Sequence, residues 1–127
     1  MVANPIKEKS FGFAIRIIKL AQWLKKRSHF ELAQQIIRAG TSIGANVEEA
    51  LAGQSRKDFV SKMAIASKEA RETNYWLRLL MDSGILSSKM CTSLLTESEE
   101  LIKMLTSIVK TSQSIKTTKN SKLKIKN

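Results

Sequence analysis

Proline occurs once in this chain, at Pro5, and glycine five times, at Gly12, Gly40, Gly44, Gly53 and Gly84. So few breakers in 127 residues leave little material for turns, and order has to come in long segments. The apolar residues between the breakers follow a helical period and show no strand alternation. The chain therefore reads as a few long helices. No internal repeat is present. Its length fits one domain, large enough for a core yet small enough to gain from oligomerising.

The helices can be placed from their ends inward. Asn4-Pro5 suits a helix start, with Asn4 as cap and Pro5 at the first helical position; Ser10 is a second possible start. Ala14, Ile17, Ile18, Ala21 and Leu24 form the expected first core face, and Lys25-Lys26-Arg27 puts positive charge at its C-terminal end. Ser28 and Glu31 have capping-box spacing for a second helix. Leu32, Ala33, Ile36, Ile37, Gly40, Ile43, Gly44, Val47, Ala50 and Leu51 then hold one phase, which predicts a helix continuous through both glycines. Each interior glycine costs about 1 kcal/mol against alanine, so close packing is expected to repay it. Gly53 supplies a stop.

Ser55 and Asp58 open a third helix with a stripe of Phe59, Met63, Ala66, Ala70, Leu77 and Met81. Asp82-Ser83-Gly84 ends it, and Ile85 and Leu86 are expected to tuck beneath the bundle. Ser87 or Ser88 caps a fourth helix. Its seam is Cys91, Leu94, Leu95, Ser98, Leu101, Ile102, Leu105, Ile108 and Val109 at three-four spacing. The pattern stops after Ser112. Short connections make consecutive helices antiparallel, which predicts an all-α, up-down-up-down four-helix bundle over residues 1–114.

Residues 115–127 read as a disordered lysine-rich tail. The net charge is +11 and the sequence pI about 10.1. Lys116, Lys119, Lys122, Lys124 and Lys126 supply five of those charges with no acid among them, leaving +6 on the remainder. Such clustering suits a polyanion, nucleic acid or an anionic membrane surface, with solubility as the plainer reading; the five lysines are the expected nucleic-acid contacts. One cysteine, Cys91, allows no internal disulfide and fits a reducing compartment. No apolar run nears the roughly 20 residues of a membrane span, and Met1 to Lys9 has no signal-peptide core. The expected location is the cytoplasm.

No catalytic or cofactor site can be assembled. Gly40-Thr41-Ser42-Ile43-Gly44 matches neither a phosphate loop nor a dinucleotide fingerprint, so Gly40 and Gly44 are expected to serve a close helix contact. Glu48 and Glu49 are adjacent on a helix, about 100 degrees apart, and cannot share one metal. Glu48 is placed at the edge of the apolar face, paired with Arg71 or Arg78 across helices. One histidine, His29, and one cysteine make no zinc site or nucleophile-base dyad. The third helix has a second apolar side, Ile65, Trp76 and Leu79. A bundle helix needs only one, so this side is expected to meet another subunit, with Trp76 as anchor. A base-stacking role for Trp76 lacks neighbouring aromatics in series.

GTSIGANVEEA at 40–50, KEARETNYWLRLL at 68–80 and KSFGFAIRIIKL at 9–20 together resemble the bacterial four-helix-bundle family of 23S ribosomal RNA intervening-sequence proteins. The resemblance extends over about residues 9–105. It implies a homopentameric ring of four-helix bundles. That family is similar in turn to the accessory protein of diversity-generating retroelements, a basic pentamer that binds nucleic acid and a reverse transcriptase. Many members close the first motif with Glu-Gly; Glu49-Ala50 stands here, and alanine continues the helix. No catalytic residue is implied. The chain is therefore expected to be a non-enzymatic oligomer binding RNA or DNA through basic surface and tail. The alternative is a scaffold for a protein partner such as a nucleic-acid enzyme.

Overall fold

The computed structural model describes residues 4–125, with side chains described through residue 114. Four helices follow one another: α1 (Pro5–Lys26), α2 (Phe30–Ala52), α3 (Arg56–Asp82) and α4 (Ser88–Ile125). No strand occurs among the described residues. Each helix packs on the next in sequence, and α4 returns to α1, whereas the diagonal pairs do not meet at backbone level. Cross-helix pairs such as Lys9–Glu100 and Arg16–Glu97 fix α1 antiparallel to α4. The arrangement is the expected up-down-up-down bundle.

The helix starts obey local chemistry. The Asn4 side chain accepts from the Lys7 amide at 3.3 Å, with Pro5 in the first turn. Ser10 starts nothing; it is fully buried inside α1. Ser55 Oγ accepts from the Asp58 amide at 3.1 Å, and Ser87 Oγ from the Met90 amide at 3.3 Å. Each satisfies an amide that the helix itself leaves unpaired.

Ser28 departs from its expected role. It adopts φ +65°, and no side-chain cap bond forms at the start of α2, where His29 takes the cap position. The Ser28 amide donates to the Lys25 carbonyl and the His29 amide to the Leu24 carbonyl, both at 3.0 Å. That double closure ends α1 with a left-handed residue. Ser28 thus belongs to the end of α1, not the beginning of α2. Gly84 plays the matching part after α3, at φ +80°.

The core is built from Phe13, Ile17, Leu24, Ile36, Ile43, Val47, Met63, Leu77, Leu80, Leu101 and Leu105, each below 2% exposed. Leu86 tucks beneath as expected. On α1 the buried stripe is Phe13, Ile17, Leu20, Ala21 and Leu24, while Ile18 is exposed and Ala14 half-buried. The two sets differ by part of a turn, and packing against both α2 and α4 selects the former.

The C-terminal boundary also differs. A disordered tail was expected from residue 115, yet the helical backbone continues to Ile125. No glycine or proline follows Gly84, and lysine carries little helix penalty, so nothing local stops the helix. Ser112 is the last buried side chain among those described.

Gly12 tests helix propensity without packing. It is exposed inside α1, and a Cβ there would meet nothing within 4 Å. Gly12→Ala should stabilise the bundle by about 1 kcal/mol, read as a raised thermal midpoint. An unchanged or lowered midpoint would show that Gly12 serves a contact made outside the single chain.

Candidate functional site

Gly40 and Gly44 do what their spacing suggests. Both are buried in the middle of α2. A Cβ on Gly40 would lie 2.6 Å from Ile17 Cγ2; one on Gly44 would lie 3.4 Å from the Ser10 carbonyl oxygen and Oγ. α1 therefore presses directly on the α2 backbone. Ser10 satisfies its own hydroxyl by donating to the Lys7 carbonyl at 3.2 Å, so it fills the contact at no polar cost.

The expected ion pair of Glu48 with Arg71 or Arg78 does not form. Glu48 is exposed and makes no ion pair among the described residues. Arg71 donates to Thr106 Oγ1 at 3.1 Å, and Arg78 donates to Asn74 Oδ1 at 2.9 Å. Arg71 thus turns to α4 and Arg78 back along α3, whereas Glu48 sits on α2. The acid that reaches α3 is Glu49, 3.5 Å from Lys62. The main α2–α3 pairing instead centres on Arg38, which binds Glu69 at 3.3 Å and also Glu72. Toward α4, Arg16 donates to Ser93 at 3.1 Å and faces Glu97 Oε2 at 2.8 Å without hydrogen-bond alignment.

The second side of α3 is present. Ile65 and Leu79 are 39% and 40% exposed, and Trp76 is half-buried beside them. The Trp76 indole N–H donates to Glu72 at 3.0 Å, the same carboxylate that Arg38 holds. Tyr75 meets the Trp76 ring edge-on at 5.5 Å. Trp76 is thus a braced ring on a partly apolar outer face. A second such face was not foreseen. Phe11, Ile15 and Ile18, at i, i+4 and i+7 of α1, are 59%, 42% and 39% exposed. They share one helix face. Reading Ile18 as core concealed this stripe.

Between α3 and α4 runs an open groove of about 510 Å³ with a basic lining. Arg71 reaches it from α3; Lys103 and Lys110 reach it from α4, with Thr106 and Ser107 between them and Thr111 just beyond. None of its lining residues is acidic. Of the lysines expected to contact nucleic acid, Lys126 lies outside the described residues. The side chains of Lys116, Lys119, Lys122 and Lys124 also lie outside those described, although their backbone continues α4.

Among the described residues no group of His, Cys, Asp and Glu is placed to hold a metal. No helix there is long and apolar enough to cross a membrane. Cys91 is fully buried, and its thiol lies 3.3 Å from the Leu77 carbonyl oxygen. Burial raises its pKa, and the negative charge of Asp82 adds to the rise. The reactive thiolate is therefore scarce at neutral pH. A thiol reagent should modify Cys91 only at the pace of unfolding; rapid stoichiometric labelling of native protein at pH 7 would contradict that burial.

These features define a basic four-helix bundle with outward apolar stripes and a cationic groove. The chain belongs to the family of 23S rRNA-intervening sequence proteins, whose profile matches residues 3–107. A crystal structure from Bacteroides thetaiotaomicron, described as a protein of unknown function from the S23 ribosomal protein family, has a similar chain. It is 45% identical, with a TM-score of 0.80, over 83% of this chain and 98% of that one. Among curated proteins no significant match was found.

Proposed function

We propose that this protein is a non-enzymatic homo-oligomer, a ring of five bundles, that binds the phosphate backbone of RNA or DNA. The observation that carries the binding reading is the sequence after Glu100. Residues 101–127 hold seven lysines and no acid. Earlier in the chain many acids are answered by bases across helices, as at Arg38, Lys62, Lys9 and Arg16. The C-terminal part of α4 has no acid of its own to answer its lysines. An uncompensated cationic run attracts polyanions and releases their counterions on binding.

Two different exposed stripes support the assembly. A two-fold dimer buries the same patch from both copies; a ring joins unlike patches head to tail. Phe11, Ile15 and Ile18 on α1 and Ile65, Trp76 and Leu79 on α3 are unlike patches on one chain. The number five comes from the family resemblance alone. The same stripes favour a second reading, an adaptor that docks a nucleic-acid enzyme.

Light scattering should give a mass near five times 14.2 kDa. Trp76→Ala and Phe11→Asp should each shift the population toward smaller species at micromolar concentration. A monomer from the parent protein would remove the ring. Titration of a labelled RNA at several salt concentrations tests the binding: affinity should fall steeply with salt, and no binding at low salt would leave only the adaptor reading.

A further inference from the structure

We propose that the α3–α4 groove holding Arg71, Lys103 and Lys110 is a binding site for a sugar–phosphate strand, on the folded bundle and separate from the terminal lysines. The proposal rests on the nucleic-acid reading above and names the surface on which a strand would lie. Lys103 and Lys110 are two helical turns apart, about 10.5 Å along α4. Separate phosphates of one strand can therefore meet the two lysines, one at each end of that span. Arg71 supplies the third cation from the opposite wall.

The hydroxyls in the groove are available to a ligand. Thr92 and Thr96, earlier on α4, spend theirs on the carbonyls of Ser88 and Thr92 at 2.6 and 3.0 Å. Ser107 and Thr111 make no such bond among the described residues. Thr106 accepts from Arg71 and keeps its own proton to donate. Arg71 in turn is held in place by that bond, with further N–H groups left to meet a phosphate. The groove therefore offers three cations and three hydroxyl donors, and no carboxylate in its lining competes. Ile102 adds an apolar surface for a sugar or base. Ordinary helix surface mixes signs: at the Arg38 site two glutamates already face one arginine. Phosphate contacts of this kind carry no base information, so the site should be indifferent to sequence.

The test compares full-length variants by fluorescence anisotropy with one labelled oligouridylate between 50 and 200 mM salt. Lys103→Gln/Lys110→Gln leaves the Arg71–Thr106 bond in place; the triple variant adds Arg71→Gln. Lys25→Gln/Lys26→Gln removes equal charge at the opposite end of the bundle. Circular dichroism establishes that each variant folds. Each single-strand phosphate contact contributes about 0.7 to the slope of log K against log salt. The double groove variant should flatten that slope by about 1.4 and the triple by about 2.1, while the α1 variant stays near the parent. If the parent binds and the groove variants keep its slope, or the α1 variant flattens it equally, the groove is not the site. If the parent itself does not bind, the nucleic-acid reading fails and the groove proposal with it.

Discussion

Gly44→Leu is expected to destabilise the bundle by ~1–3 kcal/mol, and Gly40→Leu by at least as much. The two glycines meet different surfaces. At Gly40 a lone Cβ already falls 2.6 Å from Ile17 Cγ2 and 3.0 Å from its Cβ. Ile17 is fully buried, so its branch point has nowhere to go. At Gly44 the first neighbours are the Ser10 carbonyl and hydroxyl oxygens at 3.4 Å, an ordinary contact that tolerates a methyl group but no more. Alanine separates these cases. Gly44→Ala should be neutral or stabilising by up to about 1 kcal/mol, because the helix gains propensity without a clash. Gly40→Ala makes the same gain but must displace Ile17, and should lose stability. Thermal or urea melts of the four variants read the order directly. Equal midpoints for Gly40→Ala and Gly44→Ala would mean that α1 does not sit on α2 as described.

Deletion of residues 115–127 is the second large effect. The last described buried side chain is Ser112, and the family match ends at residue 107, so the bundle should survive. The deletion removes five lysines. With all five on single-strand phosphates, the salt slope would flatten by up to about 3.5, and affinity at low salt would fall by orders of magnitude. The loss should be similar for every sequence tested. A truncated protein with the parent slope would make the terminal lysines a solubility feature and leave any binding to the folded helices.

Much of the fold was legible because its signals are local. Asn4-Pro5, Ser55 with Asp58, and Ser87 each act within one turn, and the seam of α4 from Cys91 to Leu105 is a single phase. Gly40 and Gly44 were legible because a costly residue at helical spacing requires a close neighbour. Ser28 was misread because serine three before glutamate suits a cap, while the same serine can close the preceding helix in a left-handed conformation. Which role wins depends on the Lys25 and Leu24 carbonyls. The Glu48 pairing failed for a different reason: helical phase gives direction on one helix, but a partner depends on register between two. Arg38 reaches Glu69 and Glu72 over more than thirty positions of sequence. The α3–α4 groove likewise joins Arg71 to residues 102–111, and no linear pattern records that meeting.

Each helix lies chiefly against its neighbour in the chain, and the connections are short. Most contacts therefore form between nearby parts of the sequence, with little loop entropy to overcome. Helical proteins of such low contact order fold in microseconds to milliseconds. The α1–α2 hairpin, seated on Gly40 and Gly44, is complete in sequence by Ala52. During synthesis it can close while α4 is still unmade. The encounter of α1 with α4 joins the two most distant helices and must come last. Until then Leu20, which borders Met90 and Leu94 of α4, lacks part of its cover, and the growing chain shows on its open side apolar surface that the finished bundle hides.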